Sequence, residues 1–214
     1  MSGRKEITAL KARWSPEALA AADRAFAKMD PVAAYQGKPP PHPFVSPFGE
    51  HEGRADFRYV SLGVIPFYRT IERADLTGAT DARNGQLCCS LVDCRLNQAS
   101  METNLGQKVV RDCNFARSKF THTSFRGEFV DCDFDHCDLS YARSAQAKFI
   151  RCNFSGVKFI GSGFDYCRFE NCRWDGAKIG NAAFAHGRFI GGRPSDEQLK
   201  DAMTPGAKFE PEEP

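Results

Sequence analysis

The most constraining feature of this sequence is a large apolar residue at every fifth position along much of its length. From residue 129 to residue 189 only Ser144 interrupts this spacing, whose members are Phe129, Phe134, Leu139, Phe149, Phe154, Phe159, Phe164, Phe169, Trp174, Ile179, Phe184 and Phe189. Helices and strands repeat about every 3.6 and 2 residues, so neither produces a period of five. The pattern predicts a chain that turns a corner every five residues.

Upstream blocks share the spacing but are displaced in register. They comprise Leu105, Val110, Phe115, Phe120 and Phe125, and before them Leu76, Leu91, Leu96 and Met101, with breaks at Asp81 and Gln86. The register therefore changes near residues 101–105 and 125–129, where we predict local irregularities or kinks. Residues 55–67 contain a weaker version of the pattern, consistent with a degenerate first coil.

The residue two positions before each large apolar residue is usually small. One large and one small side chain then point inward on each side of a coil. Four sides make a coil of about 20 residues, and such coils stack as parallel β-structure about 4.8 Å apart. The fold class is therefore an all-β solenoid in which Phe149, Phe169 and Phe189 lie above one another, as do Phe134, Phe154 and Trp174.

Several five-residue units resemble those of the pentapeptide-repeat family, whose motif is A(D/N)LXX with Cys tolerated at the first place. These units are ADLTG, CNFSG, CDFDH, CDLSY, AKFIR and CRFEN. The resemblance covers roughly residues 74–191, or from residue 55 if the degenerate coil is included. It implies a right-handed quadrilateral parallel β-helix, to which the sequence adds short flanking helices.

Eight of the nine cysteines, all except Cys88, stand two positions before a large apolar position. Cys132, Cys152 and Cys172 are one coil apart and should form an internal column. The column could serve as a metal or redox ladder, or simply as small apolar filler beside the aromatic rings. Zinc ligands usually occur as closely spaced Cys pairs, whereas these cysteines follow the period of the fold. We therefore predict packing, and no metal or cofactor.

Basic residues stand just before many of the apolar positions and should point outward, whereas acidic residues cluster in residues 131–138. Two groups form the candidate partner-binding surface: the basic residues Lys148, Arg168, Arg188, Lys158 and Lys178, and the acidic residues Asp131, Asp133, Asp135 and Asp138. Lys148, Arg168 and Arg188 should share one face, with Lys158 and Lys178 above Asp138 on another. The alternative is that these charges only keep the rod in solution.

No sequence motif of a known catalytic site is present, so we predict a non-catalytic protein without catalytic residues. A macromolecule-binding or scaffold role fits best, with a protein as the partner. Some members of the family modulate DNA gyrase, a type II topoisomerase, as negatively charged mimics of duplex DNA, which is the alternative. Residues 72–192, however, hold 14 acidic and 16 basic residues, and a DNA mimic needs a negative field.

The chain is predicted to divide into three parts. Residues 1–54 form an extension with one short helix, capped by Ser15, and a Pro-rich segment; residues 55–191 form the β-helix; and residues 192–214 form a helix capped by Ser195 and a polar tail. A terminal helix could support a homodimer. With no membrane span, no signal peptide and a net charge of +2, we expect a cytoplasmic protein that binds neither membranes nor nucleic acid directly.

Overall fold

The computed structural model describes residues 2–27, 45–63, 65, 69–82 and 86–212. Most of the Pro-rich segment lies outside these residues. The chain begins with the helices α1 (Ser2–Ala12) and α2 (Pro16–Ala27), and a short helix α3 (Asp196–Leu199) lies near its end. The strands are β1 (Glu50–His51), β2 (Arg54–Asp56), β3 (Thr70–Glu72), β4 (Ala74–Asp75), β5 (Ser90–Val92), β6 (Asn104–Leu105), β7 (Val109–Arg111), β8 (Ser124–Phe125), β9 (Glu128–Val130), β10 (Arg143–Ala145), β11 (Lys148–Ile150), β12 (Gly163–Asp165), β13 (Arg168–Glu170), β14 (Arg188–Ile190) and β15 (Lys208–Glu210).

The strands and single β-bridges form the four walls of a coil. Wall 1 is the eight-stranded sheet β15-β14-β13-β11-β9-β7-β5-β3, and wall 4 is the four-stranded sheet β12-β10-β8-β6. Wall 2 is a column of parallel bridges from Asp75 to Arg173, and wall 3 is a similar column from Ser61 to Lys178. All of these pairings are parallel, so the predicted fold class, a quadrilateral parallel β-helix, is confirmed.

The predicted columns of aromatic side chains fill the interior. The ring centroids of Phe149 and Phe169 are 5.2 Å apart, and those of Phe169 and Phe189 are 4.9 Å apart. Phe154 stacks between Phe134 and Trp174 at 5.2 and 4.9 Å. Each buried ring contributes about 1.5–3 kcal/mol of hydrophobic stabilisation. Ser144, the exception in the pattern, is also buried and donates a hydrogen bond to the Phe125 carbonyl at 3.1 Å.

The predicted local irregularities at the two register changes are changes in the length of the coil. At each change the chain spends four residues on one side instead of five, so the coil becomes one residue shorter. On wall 1 Val110 consequently pairs with Phe129, 19 positions further on, while Phe129 pairs with Phe149, 20 positions further on. Wall 1 stays continuous because a residue is removed at a corner and not within a strand.

The N-terminal extension contains two helices, which corrects the prediction of one. The predicted helix is α2, where the Ser15 hydroxyl accepts a hydrogen bond from the Ala18 amide at 3.3 Å. Phe26 of α2 is buried and packs on Phe57 of the first coil, with ring centroids 4.9 Å apart. Helix α1 was not predicted, because Ile7 and Leu10 are its two large apolar residues and do not make a continuous apolar stripe; both are partly buried.

The C-terminal segment also differs from its predicted description. Ser195 caps α3 as expected, with its hydroxyl accepting from the Gln198 amide. Residues 208–210 form β15 and extend wall 1, a strand that was not predicted from the sequence. The predicted polar tail, EPEEP at residues 210–214, begins at the last residue of this strand. Phe209 stacks on Phe189 at 5.1 Å, because it follows Phe189 by one full coil. The proposed limits of the three parts stay predictions.

Candidate interaction surface

The nine cysteines are free and buried. Their thiols make weak hydrogen bonds to backbone carbonyls, as from Cys137 to Phe115 at 2.9 Å and from Cys152 to Phe129 at 3.4 Å. Burial raises the pKa of the Cys89 and Cys137 thiols well above the usual range and that of Cys167 to about 11. Within the described residues no three His, Cys, Asp or Glu side chains are placed to hold a metal ion. Buried and protonated thiols of this kind pack the core and are poor nucleophiles.

An ion-pair cluster fastens the N-terminal segment to the first coil. Asp56 is buried and lies between two guanidinium groups, with Arg13 at 2.7 Å and Arg58 at 2.9 Å. Burial alone would raise the pKa of Asp56, but hydrogen bonds from both arginines hold this pKa well below its usual range. The indole of Trp14 also donates to the Arg58 carbonyl at 2.8 Å. Nothing in the repeat pattern indicates these partners.

An open groove of about 620 Å³ separates α1 from wall 2. On the α1 side it is lined by Ile7 and Leu10, and on the other side by polar groups of the first coils. There the buried carboxylate of Asp75 contacts the ring of His51 at 2.8 Å and accepts from the Thr77 amide at 3.1 Å. The groove thus combines an apolar helix surface with a satisfied polar floor.

The predicted basic stripe on wall 1 is largely neutralised. Lys148, Arg168 and Arg188 occupy consecutive paired positions, as expected. Each nevertheless has a glutamate partner: Glu128 lies 3.5 Å from Lys148, Glu170 lies 2.9 Å from Arg168, and Glu210 lies 2.6 Å from Arg188. The stripe is therefore a ladder of exposed ion pairs with little net charge.

Wall 3 keeps a larger excess of positive charge. Its outward column runs from Lys119 through Asp138 and Lys158 to Lys178. The single carboxylate, Asp138, lies 3.7 Å from Lys158. Burial acts to raise the pKa of Asp138, but hydrogen bonds from Ser140 and the nearby lysine charges leave this pKa below its usual range. This wall presents the predicted Lys158 and Lys178 with one compensating charge.

The four predicted aspartates do not converge on one site. Asp131 lies at the corner after wall 1, where its carboxylate forms a two-pronged pair with Arg151 at 2.7 Å. Asp133 is on wall 2 and accepts from Asn153 at 2.8 Å, and Asp135 lies 2.9 Å from His136 at the next corner. Asp138 is on wall 3. The four aspartates lie on successive corners and walls of one coil, so their carboxylates point in different directions.

Two exposed arginines, Arg126 and Arg143, line a groove on wall 4 and were not among the predicted surface residues. Arg143 stands just before Ser144, the exception in the apolar pattern, and Arg126 lies within the register change at residues 125–129. Both therefore fall where the pattern is irregular, and an outward residue is harder to assign there. A break in the apolar pattern is therefore the sequence feature that could have drawn attention to these two arginines.

Comparison with known proteins agrees with the coil geometry. The sequence profile of the family described as pentapeptide repeats matches residues 128–165 with eight copies. The chain therefore contains pentapeptide repeats. Comparison with curated protein sequences gives no significant match. Within the described residues, no helix has the length and apolar character needed to cross a membrane.

Solved structures share the architecture at low sequence identity. A trypsin-treated form of QnrB1, a plasmid-mediated fluoroquinolone resistance protein, is 12% identical, with a TM-score of 0.50 over 74% of this chain and 87% of that chain. HetL, involved in heterocyst differentiation regulation in the cyanobacterium Nostoc, is 13% identical, with a TM-score of 0.29 over 75% of this chain and 90% of that chain. At such identities the likeness to QnrB1 shows the fold alone.

Proposed function

We propose that this pentapeptide-repeat protein is a non-catalytic protein-binding rod. The observation that carries the proposal is the filled interior, where rings such as Phe149 and Phe169 stack one coil apart and fill the space between the described walls. Enzymes generally use a concave pocket with converging polar groups. Recognition is left to the outer walls and the ends, whose side chains repeat at the coil spacing.

The partner-binding surface is proposed among the predicted charged residues. Wall 3 is the best supported, since Lys158 and Lys178 share a single carboxylate with Lys119. The wall 1 residues are weaker candidates because their glutamate partners would have to be displaced or shared. A homodimer is a further proposal. It would form at the end of the rod near α3, where Met203 and Phe209 are 57% and 41% exposed.

A DNA-mimicking modulator of gyrase is the alternative that the family resemblance implies. Such a mimic would need unpaired acidic side chains along the rod. The consecutive corner residues Asp93, Asp112 and Asp131 form a suitable ladder, but each lies within an ion pair, with Arg54, Arg111 and Arg151 respectively. Local neutralisation therefore favours a general protein-binding role.

The proposal is tested by affinity capture with the full-length protein. The bait is compared with a wall 3 variant, Lys158→Glu with Lys178→Glu, and a wall 1 variant, Arg168→Glu with Arg188→Glu. We expect one protein to be retained stoichiometrically and to be lost with one variant only. The proposal would be overturned if the bait retained no protein that an unrelated β-helical control bait does not also retain. Inhibition of DNA supercoiling by purified gyrase, removed by Asp93→Asn with Asp112→Asn, would establish the alternative.

A further inference from the structure

Wall 4 carries an open groove of about 590 Å³ that the repeat pattern does not predict. It extends over β8, β10 and β12, which pair in parallel so that Arg143 lies beside Ser124 on one strand and Gly163 on the other. Arg126 and Gly127, at the corner that follows β8, complete one side. The groove therefore spans three successive coils.

The groove exists because outward side chains are missing from this wall. Next to Arg143 the outward positions are Gly163 and then Ala183, whereas wall 1 has Arg168 and Arg188 on the same coils. A Cβ atom on Gly163 would lie 3.0 Å from Nη1 and 3.6 Å from Cδ of Arg143. The Arg143 side chain thus lies across the bare backbone of Gly163, and any larger residue there would push its guanidinium away.

The positive charge in this groove is not neutralised. Arg126 and Arg143 are both exposed, and within the described part of the chain neither has a carboxylate oxygen within 4.0 Å. The one acidic residue in the lining is Asp165, whose Oδ1 accepts from the Ala185 amide at 2.9 Å. By contrast, Arg168 on wall 1 lies 2.9 Å from Glu170.

Two guanidinium groups suit carboxylates, because each planar fork can donate two parallel hydrogen bonds. The positive charge is confined to a short stretch of the rod, since Ser124 stands below Arg143 and Gly163 and Ala183 stand above it. A nucleic-acid backbone would instead need basic residues along many coils, and the whole chain carries a net charge of only +2. The chemistry therefore fits one or two carboxylates of a protein.

We propose that the wall 4 groove binds an acidic segment of the partner protein through Arg126 and Arg143. The inference rests on the proposed protein-binding function and adds to it the site and the chemistry of the partner. Ser124 lies beside the arginines and supplies a hydroxyl that can donate to the same carboxylates. The peptide then runs across wall 4 without displacing an existing ion pair.

The test measures binding of a fluorescent peptide of alternating Glu and Ser to the full-length protein by anisotropy at low salt. Its Gln and Ser counterpart and a short DNA duplex are the comparison ligands. We expect Arg126→Gln with Arg143→Gln to weaken binding about tenfold or more, as expected when charge-assisted hydrogen bonds are lost. Gly163→Ala keeps every charge and should also weaken binding, because it moves only the Arg143 guanidinium.

The matched control is Arg111→Gln with Arg193→Gln, which removes two arginines that already pair with Asp112 and Asp196. This control should stay within about twofold of the wild type. In the nitrogen–proton NMR spectrum, the amides of Gly127 and Gly163 should shift on addition of the Glu peptide. The amide of Gly176, which lies at the corner between walls 2 and 3, should not shift.

Three results would overturn the inference: no binding of the Glu peptide, an equal loss in the control variant, or equal competition by the DNA duplex. The same variants separate this inference from the proposed function. If a captured partner stays bound to Arg126→Gln with Arg143→Gln, the groove is not its site and the binding role stands. If no partner is captured by the wild type, the role itself fails.

Discussion

At the scale of single residues, Asp56 joins two parts of the chain that are distant in sequence. Its buried carboxylate binds Arg13 of the N-terminal segment and Arg58 of the first coil. Removing one member of a buried ion pair is costly, because the remaining charges stay in a poorly solvated place. The attachment of the N-terminal segment thus depends on one ionised side chain.

Replacing Asp56 by Asn should lower the free energy of unfolding at neutral pH by about 3–5 kcal/mol. Because the folded-state pKa of Asp56 is lowered, its stabilisation is complete above the unfolded pKa of about 3.9 and disappears as the pH falls below it. The wild type and Asp56→Asn should therefore differ less in free energy of unfolding at about pH 2 than at about pH 6, since these two values lie on either side of the unfolded-state pKa. Urea unfolding at both pH values measures the difference. A difference independent of pH would contradict this account. Asp131→Asn, at an exposed pair, should cost less than about 1 kcal/mol.

The cysteines give a second prediction at this scale. Because burial raises the pKa of thiols such as Cys89 and Cys137, a thiol reagent at mildly alkaline pH should label the native protein very slowly. In urea, all nine cysteines should react. Rapid labelling of a native thiol, or zinc released on denaturation, would restore the alternative of a redox or metal column.

At the scale of elements, the corners decide how coils of unequal length stack. Gly127 lies in the register change at residues 125–129 and has a φ angle of +91°. A Cβ atom on this residue would lie 2.7 Å from the carbonyl oxygens of Gln107 and Lys108 in the coil below. The shortened side therefore requires glycine, both for its backbone conformation and for the close approach of the neighbouring coil.

Gly127→Ala should destabilise the protein by more than the cost of a left-handed backbone alone. Gly176 is the matched control, because its φ angle is +64° but nothing lies within 4 Å of a Cβ atom there. We expect Gly176→Ala to cost about 1–2 kcal/mol, the cost of the backbone conformation. Gly127→Ala should cost distinctly more in the same thermal or urea unfolding experiment. Equal costs would show that the coil below adjusts freely.

At the scale of the whole molecule, the rod is stabilised by contacts between successive coils. A central ring such as Phe154 packs between Phe134 and Trp174. Phe209 stacks on Phe189, has the Arg193 guanidinium 4.9 Å from its ring centroid and is 41% exposed. In a solenoid each repeat contacts only its neighbours, so stability is distributed along the rod. Its middle and its end should therefore respond differently to the same truncation.

Phe154→Ala should lower the free energy of unfolding by about 3–5 kcal/mol, since it leaves a cavity in a closely packed column. Phe209→Ala should cost much less and should mainly increase hydrogen exchange in β15 and β14. Urea unfolding combined with exchange measured by mass spectrometry distinguishes the two effects. A large global loss for Phe209→Ala would show that the last coil is required for the whole rod to fold.

The interior and the fold class were predictable from the sequence, because a repeat of five residues decides locally which side chains point inward. The position of Phe149 below Phe169 therefore follows from their spacing in the sequence alone. The missed features depend on groups far apart in the chain: Arg13 with Asp56, Arg188 with Glu210, and the bare backbone beside Arg143. The charge of each outer wall depends on which residues become neighbours one coil away. That separation is 18, 19 or 20 residues, as the pairs Leu87 with Leu105, Val110 with Phe129 and Phe129 with Phe149 show, and where the repeat is irregular the tertiary structure decides which applies.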